Sequence, residues 1–207
     1  MKSVLINNLL SDVKLQGFYL CIEKKLRKKK DGSPYIDLLL QDKSGIIRGR
    51  IWDNVHIRYN SSIGHNCIVG EKTYIAYDVK VGNFVKINAF VYIPTGIIIE
   101  DKVMISAGCI FVNDHYPRAY DTRTNKLSSS KPNEKTLDTL VCEGATLGAG
   151  AIILADLKIG KYALVGAGSV VTKSVFDHAL VVGNPARQIG WVCICGSRLN
   201  FASTNST

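Results

Sequence analysis

No apolar run in these 207 residues approaches the roughly 20 residues that a membrane span needs, so no membrane association is expected. Residues 1–12, MKSVLINNLLSD, lack a long apolar stretch and a small-residue cleavage site. No secretory signal is therefore expected, and a cytoplasmic location is. Metal-ligand patterns are also scarce. Cys193-Ile194-Cys195-Gly196 is half of a zinc knuckle, no second paired-cysteine element follows, and no metal is expected. The six cysteines (21, 67, 109, 142, 193 and 195) are expected to be free, mostly buried thiols rather than disulfides. Helical periodicity is missing from the long central region, which excludes a helical bundle there.

Charge is present but unevenly placed. The formal net charge is +9, and residues 1–50 hold 11 of the 26 basic residues against 5 of the 17 acidic ones. The basic excess belongs to the N-terminal segment, and any reading of it stays there. Lys24, Lys25, Arg27, Lys28, Lys29 and Lys30 form its densest run, with Phe18 and Tyr19 nearby.

The central feature is a period of six. From Ile51 to Phe111 every sixth residue is apolar, and the same frame returns at Val141 and runs through Leu147, Ile153, Ile159 and Val165 to Val171. A second set, small or β-branched, follows four residues after each anchor, as in Val79, Val85, Val91 and Cys109. Six is a multiple of two, so it suits short strands with one inward side. Glycine follows the anchor at 64, 70, 82, 148, 160 and 166. The expectation is that these glycines supply the positive φ of a corner. Strand, corner and strand in six-residue steps predict a mainly β fold, a parallel β-helix of hexapeptide repeats with three hexapeptides per triangular coil. About five and a half coils follow from that count.

Residues 112–139 interrupt the frame with a polar, turn-rich stretch, and the frame resumes in phase beyond it. A loop of that length is expected to be functional. Ahead of the repeat, residues 14–23, 34–42 and 45–52 predict an antiparallel β-meander, joined by a basic loop with an Asp31-Gly32 turn and by Lys43-Ser44-Gly45. The expected organisation is a meander over 1–50 that caps the solenoid's end, a β-helix over 51–176 with its loop at 112–139, and a crossing segment with a tail over 177–207.

The stretches IWDNVHIRYNSSIG, KINAFVY, IFVNDHYPRA, TLVCEGATLGAGAII, YALVGAGSVVTKSV and VVGNPARQIGW resemble those of the left-handed β-helix acyltransferases. Within them residues 51–199 look most like the N-acetyltransferases that modify 3-amino sugars linked to UDP or dTDP. The resemblance implies a left-handed helix, a homotrimer, and acetyl-CoA as acyl donor lying in the groove between neighbouring subunits. It also implies that a nucleotide-linked amino sugar enters from the side of the loop. Residues 12–53 separately resemble the first three strands of the OB-fold domain of some bacterial 3′–5′ exoribonucleases, without the last two strands of that fold. The γ-type carbonic anhydrases share the helix but use three histidines across an interface. The four histidines here, 56, 65, 115 and 178, lack that family's close pair.

The candidate site residues follow from both lines. His115 opens the loop just after the Phe111 anchor, where galactoside- and maltose-type transferases of the superfamily carry a general base. A neutral imidazole can accept the proton that an attacking nucleophile sheds. The plain alternative is an exposed loop histidine. Asn88 stands where the frame usually has glycine. Asparagine tolerates a left-handed corner, so a structural role competes with the sugar-site role that the resemblance implies. Asp114 and Asn113 flank His115 and are candidates to hold its tautomer or the amine, with loop solvation as the alternative. Tyr116 and Arg118, from the same NDHYPRA stretch, are candidates for substrate contact. Gly148, Ala149, Gly166 and Ala167 are small enough for a pantetheine arm to approach the backbone, although corner geometry alone accounts for the glycines. Lys173 and Arg187 are candidates for the CoA phosphates.

Three functions compete: N-acyl transfer to a sugar amine, a single-stranded nucleic-acid-binding module using residues 24–30 on a trimeric scaffold, and a purely structural solenoid. The loop and the GAGSVVTK and GNPAR segments favour the enzyme, since a scaffold has no need of them.

Overall fold

A computed structural model describes residues 20–28, 34–41, 46–52, 55–58, 60–128 and 136–200. Strand β1 (Leu20–Lys28) pairs antiparallel with β2 (Pro34–Gln41), which pairs antiparallel with β3 (Ile46–Trp52). The meander is thus present, but β1 runs further along the chain than the expected 14–23. Lys24, Lys25, Arg27 and Lys28 lie on the strand itself, not in a loop. Within this sheet β1 is an edge strand, a place where lysine blunts pairing with foreign strands. Lys29, Lys30, the Asp31-Gly32 turn and Lys43-Ser44-Gly45 fall outside the described residues, as do residues 14–19 of the expected first strand.

From His56 onward the chain winds as a left-handed parallel β-helix with three faces. The first face stacks His56–Ile57, Tyr74–Ile75, Tyr92–Ile93, Ile110–Phe111, Ile152–Ile153 and Val170–Val171, one strand per coil for six coils. The second face runs from Ser62–Ile63 to Lys158–Ile159, extended by a parallel bridge from Ile159 to Val175. The third runs from Ile68–Val69 to Leu164–Val165. Parallel pairing there continues past the last repeat: Ala179–Val182 lies beside Leu164–Val165, and Arg187–Val192 folds back antiparallel on it.

From Tyr74–Ile75 to Val170–Val171 each solenoid strand buries its last residue, and that residue is the sequence anchor; in the first coil Ile57 is exposed. Ile75, Ile87, Ile93, Ile105, Leu147, Ile153, Ile159 and Val165 are fully buried. The residues four positions on, such as Val79, Val85, Val91 and Ile97, complete the core between them. Truncating one such isoleucine to alanine typically costs about 2–5 kcal/mol. Where that second position is polar, its side chain serves the next coil. Ser61 Oγ donates to Ala76 O at 2.6 Å, Thr73 Oγ1 to Asn88 O at 2.9 Å, and the Cys109 thiol to Gly148 O at 3.0 Å.

The corners overturn one expectation. Positive φ falls three residues after the anchor, not one. Asn60, Asn66, Lys72, Asp78, Phe84, Phe90, Lys102, Asp156 and Tyr162 all have φ between 54° and 61°. The glycines right after the anchor have no such φ. A Cβ on Gly82 would stand 2.7 Å from Asp101 N, inside the neighbouring coil's backbone, so close approach is what demands glycine there. Asn88 likewise is absent from the positive-φ residues, and its tolerance of a left-handed turn does not explain it.

A second correction concerns the cysteines. Cys193 and Cys195 are joined by a disulfide. Among the described residues Cys67, Cys109 and Cys142 are free, and burial pushes all three thiols above their ordinary range. That disfavours a thiolate nucleophile at any of them.

Candidate active site

The three corners carry different dressings. The first corner leads from the first face to the second. There the loop leaves after Phe111 and the solenoid resumes at Thr139, which is already buried on the second face. The loop contains a small hairpin, Tyr120–Asp121 against Lys126–Leu127. Asn113 fastens its base: Nδ2 donates to Thr95 O at 3.0 Å, and its carbonyl accepts from Leu137 N at 3.1 Å. Asn113 is thereby committed to structure. Asp114 and His115 are exposed, and among the described residues neither has a side-chain hydrogen bond. The His115 ring lies 5.9 Å from that of Tyr116, which is 91% exposed. Arg118 Nη1 donates to Pro117 O at 2.9 Å. Lys173 is exposed at this same corner, two residues after the Val171 anchor.

The third corner leads from the third face back to the first. Its outermost position, three after the anchor, holds Lys72, Phe90, Gly108, Gly150 and Gly168 in successive coils. The glycines have φ of 73°, 68° and 68°. Nothing lies within 4 Å of where a Cβ would stand on Gly150 or Gly168. Flanked by Ala107, Ala149 and Ala167, they form a trough of bare backbone along the axis. Successive coils are tied by Gly150 N to Ala107 O at 2.9 Å and Gly168 N to Ala149 O at 2.8 Å. Above Gly168 the turn Gly183-Asn184-Pro185-Ala186 continues the column, with Ala186 N donating to Val170 O at 2.8 Å, and the exposed Arg187 follows it.

The structure therefore divides the sequence-derived candidates. Asn88, Ala149, Ala167 and Arg187 share the third corner. Asn113, Asp114, His115, Tyr116, Arg118 and Lys173 share the first. Gly148 and Gly166 begin the third corner but face the next coil: a Cβ on Gly166 would meet Val182 Cγ1 at 2.6 Å. The open positions are Gly108, Gly150 and Gly168, which the sequence reading did not single out. Their signal was the recurrence of S-A-G, G-A-G and G-A-G at 106–108, 148–150 and 166–168.

The second corner is polar. Asp101 Oδ1 accepts from Asn83 N at 2.7 Å, and Lys102 pairs with Glu143 at 2.6 Å. The Lys102 ammonium holds the Glu143 carboxyl below its usual range. Among the described residues no His, Cys, Asp and Glu cluster has metal-binding geometry, and no helix is long and apolar enough to cross a membrane.

The family described as bacterial transferase hexapeptide (six repeats) matches residues 138–173, the stretch that builds the upper trough. A dTDP-3-amino-3,6-dideoxy-alpha-D-galactopyranose 3-N-acetyltransferase of Aneurinibacillus thermoaerophilus is 56% identical over 63 residues, 30% of this chain and 33% of that protein. Serine acetyltransferase 4 of Arabidopsis thaliana is 54% identical over 50 residues, 24% of this chain and 14% of that protein. The matches thus span a third or less of those relatives, and such short stretches do not choose between their acceptors. Among solved structures, a mutant of AntD, an N-acyltransferase from Bacillus cereus in complex with dTDP-4-amino-4,6-dideoxyglucose and coenzyme A, superposes with a TM-score of 0.55 at 25% identity. That match covers 67% of this chain and 77% of AntD. The nucleic-acid alternative finds no support in these likenesses.

Proposed function

Starting from a chain that carries the hexapeptide repeats of bacterial transferases on a left-handed β-helix, we propose that it moves an acetyl group from acetyl-CoA to an amino group of a nucleotide-linked amino sugar. The observation that carries this reading is the three-coil glycine trough, where no side chain stands between a pantetheine arm and the backbone, built largely from the family-matched stretch. Ala149 and Ala167 form its wall and Arg187 stands at its upper end, where a cation suits the CoA phosphates. Lys173 is a second candidate for those phosphates.

Within one chain, the trough and His115 lie on opposite edges of the first face. A complete site then needs the first corner of one subunit against the third corner of the next, which a cyclic homotrimer supplies. The outward residues of the upper first face, Tyr92, Ile110, Ile152 and Val170, are uncharged and suit such packing, whereas at its lower end the Arg58 guanidinium lies over the Tyr74 ring at 5.4 Å. In this assembly the amine lone pair attacks the thioester carbonyl, the carbon–sulfur bond breaks, and CoA leaves as its thiol. His115, with Asp114 beside it, takes the proton that the amine loses and passes it to the departing CoA sulfur. Asn88 positions the sugar together with Tyr116 and Arg118, whose loop Asn113 fastens at its base. Residues 1–50 are read as an appended module, residues 51–176 as the catalytic solenoid with its loop at 112–139, and residues 177–207 as its C-terminal segment. The cytoplasm, where nucleotide sugars and acetyl-CoA are available, is the proposed location.

The test is thiol release from acetyl-CoA with a panel of dTDP- and UDP-linked 3-amino and 4-amino sugars. Turnover dependent on the amino sugar is expected. A chain that binds acetyl-CoA but acetylates none of them, while acetylating free serine, would replace the acceptor class.

A further inference from the structure

The third corner has two unlike halves. In the three upper coils glycine holds the outermost position. In the coils below, Phe90 and Lys72 hold it at φ of 61° and 57°. Positive φ is unfavourable for a bulky side chain, and a ring kept there calls for an explanation. Phe84 has the same φ class at the second corner, but its ring packs edge-on against His65 at 5.0 Å. Phe90 is 55% exposed, and its ring is backed by the Lys72 ammonium at 5.1 Å. The ring therefore stands in line with the trough, one coil below Gly108.

We propose that Phe90, backed by Lys72, closes the lower end of the trough and limits the length of the acyl group the chain accepts. This rests on the acyl-CoA reading above. With the phosphates at the Arg187 end, the thioester points down the column towards Phe90. One coil step is about 4.8 Å. An acetyl group ends short of the ring, whereas four further carbons lengthen the acyl group by roughly 5 Å, about one more coil step, and bring it into contact with the ring. The Lys72 ammonium, carried one coil further down and 5.1 Å from the ring centroid, holds the ring in place and leaves a charge where an alkyl chain would otherwise emerge.

The experiment titrates CoA, acetyl-CoA and hexanoyl-CoA into the full chain and into Phe90→Gly and Phe90→Asn, with melting temperature as a check on folding. Both replacements accept positive φ, so the test survives the loss of either variant. The wild-type chain is expected to bind hexanoyl-CoA about 10–200-fold more weakly than acetyl-CoA. The variants are expected to lose that penalty while keeping the affinity for CoA itself. A wild-type chain that binds both thioesters equally, or a penalty that survives in the variants, overturns the proposal while leaving the acyl-CoA reading intact. Failure of the wild-type chain to bind CoA at all overturns both.

Discussion

The first and third corners are the same turn in the same frame, with opposite dressings. At the first, the chain departs for a long loop and leaves Asp114 and His115 exposed. At the third, three coils in succession give up their side chains altogether and leave bare backbone. Neither dressing burdens the core, because the anchors and the residues four positions on already fill the interior. The contrast teaches that a solenoid separates stability from chemistry: inward positions are fully used for packing, and corners are left to vary. It also sets Asp114 and His115 at one edge of the first face and the glycine column at the other.

The largest expected effect comes from removing the imidazole. His115→Ala should lower kcat by about 10²–10⁴-fold and leave the dissociation constant of acetyl-CoA unchanged. Steady-state kinetics beside calorimetry would check both, and a matching loss of acetyl-CoA affinity would erase the division between the corners.

Filling the trough attacks the other side of the comparison. Gly150→Val forces a β-branched residue into φ near 68°. That should lower unfolding free energy by about 1–2 kcal/mol. It should also weaken acetyl-CoA binding by about tenfold or more, equivalent to roughly 1.4 kcal/mol. Denaturant titration and calorimetry read the two effects separately, and full acetyl-CoA affinity in a folded variant would take the trough out of the site.

The smallest expected effect is the most discriminating. His115→Ala and Gly150→Val chains, refolded together, place an intact loop of one subunit against an intact trough of the next at about one site in three of each mixed trimer. About a quarter of the trimers in an equimolar mixture are unmixed, so activity should return to about a quarter of the wild-type value. If both corners served a site within one chain, mixing would restore nothing.

How much of this was legible beforehand varies by level. The anchors were legible because burial of one residue per strand is a local, periodic demand. The corner chemistry was misassigned because glycine is selected for two reasons that look alike in a sequence. Gly82 is required by the approach of Asp101 in the next coil, whereas Gly150 has open space and the positive φ. The lysine-rich start of the meander was placed in a loop because charged residues are depleted from strands, yet an edge strand with a solvated side accommodates them. Joining Cys193 to Cys195 likewise depended on backbone geometry, not on spacing.

By itself the sequence determined the six-residue frame, the inward set and the place where the frame breaks, since each depends only on neighbours along the chain. Tertiary structure alone decided which residues meet. Gly108 stacks beneath Gly150 across the whole inserted loop, and His115 and Asn88 fall on opposite edges of one face. The reason is that a coil's neighbours are set by stacking along the axis, and stacking brings together residues that no local pattern connects.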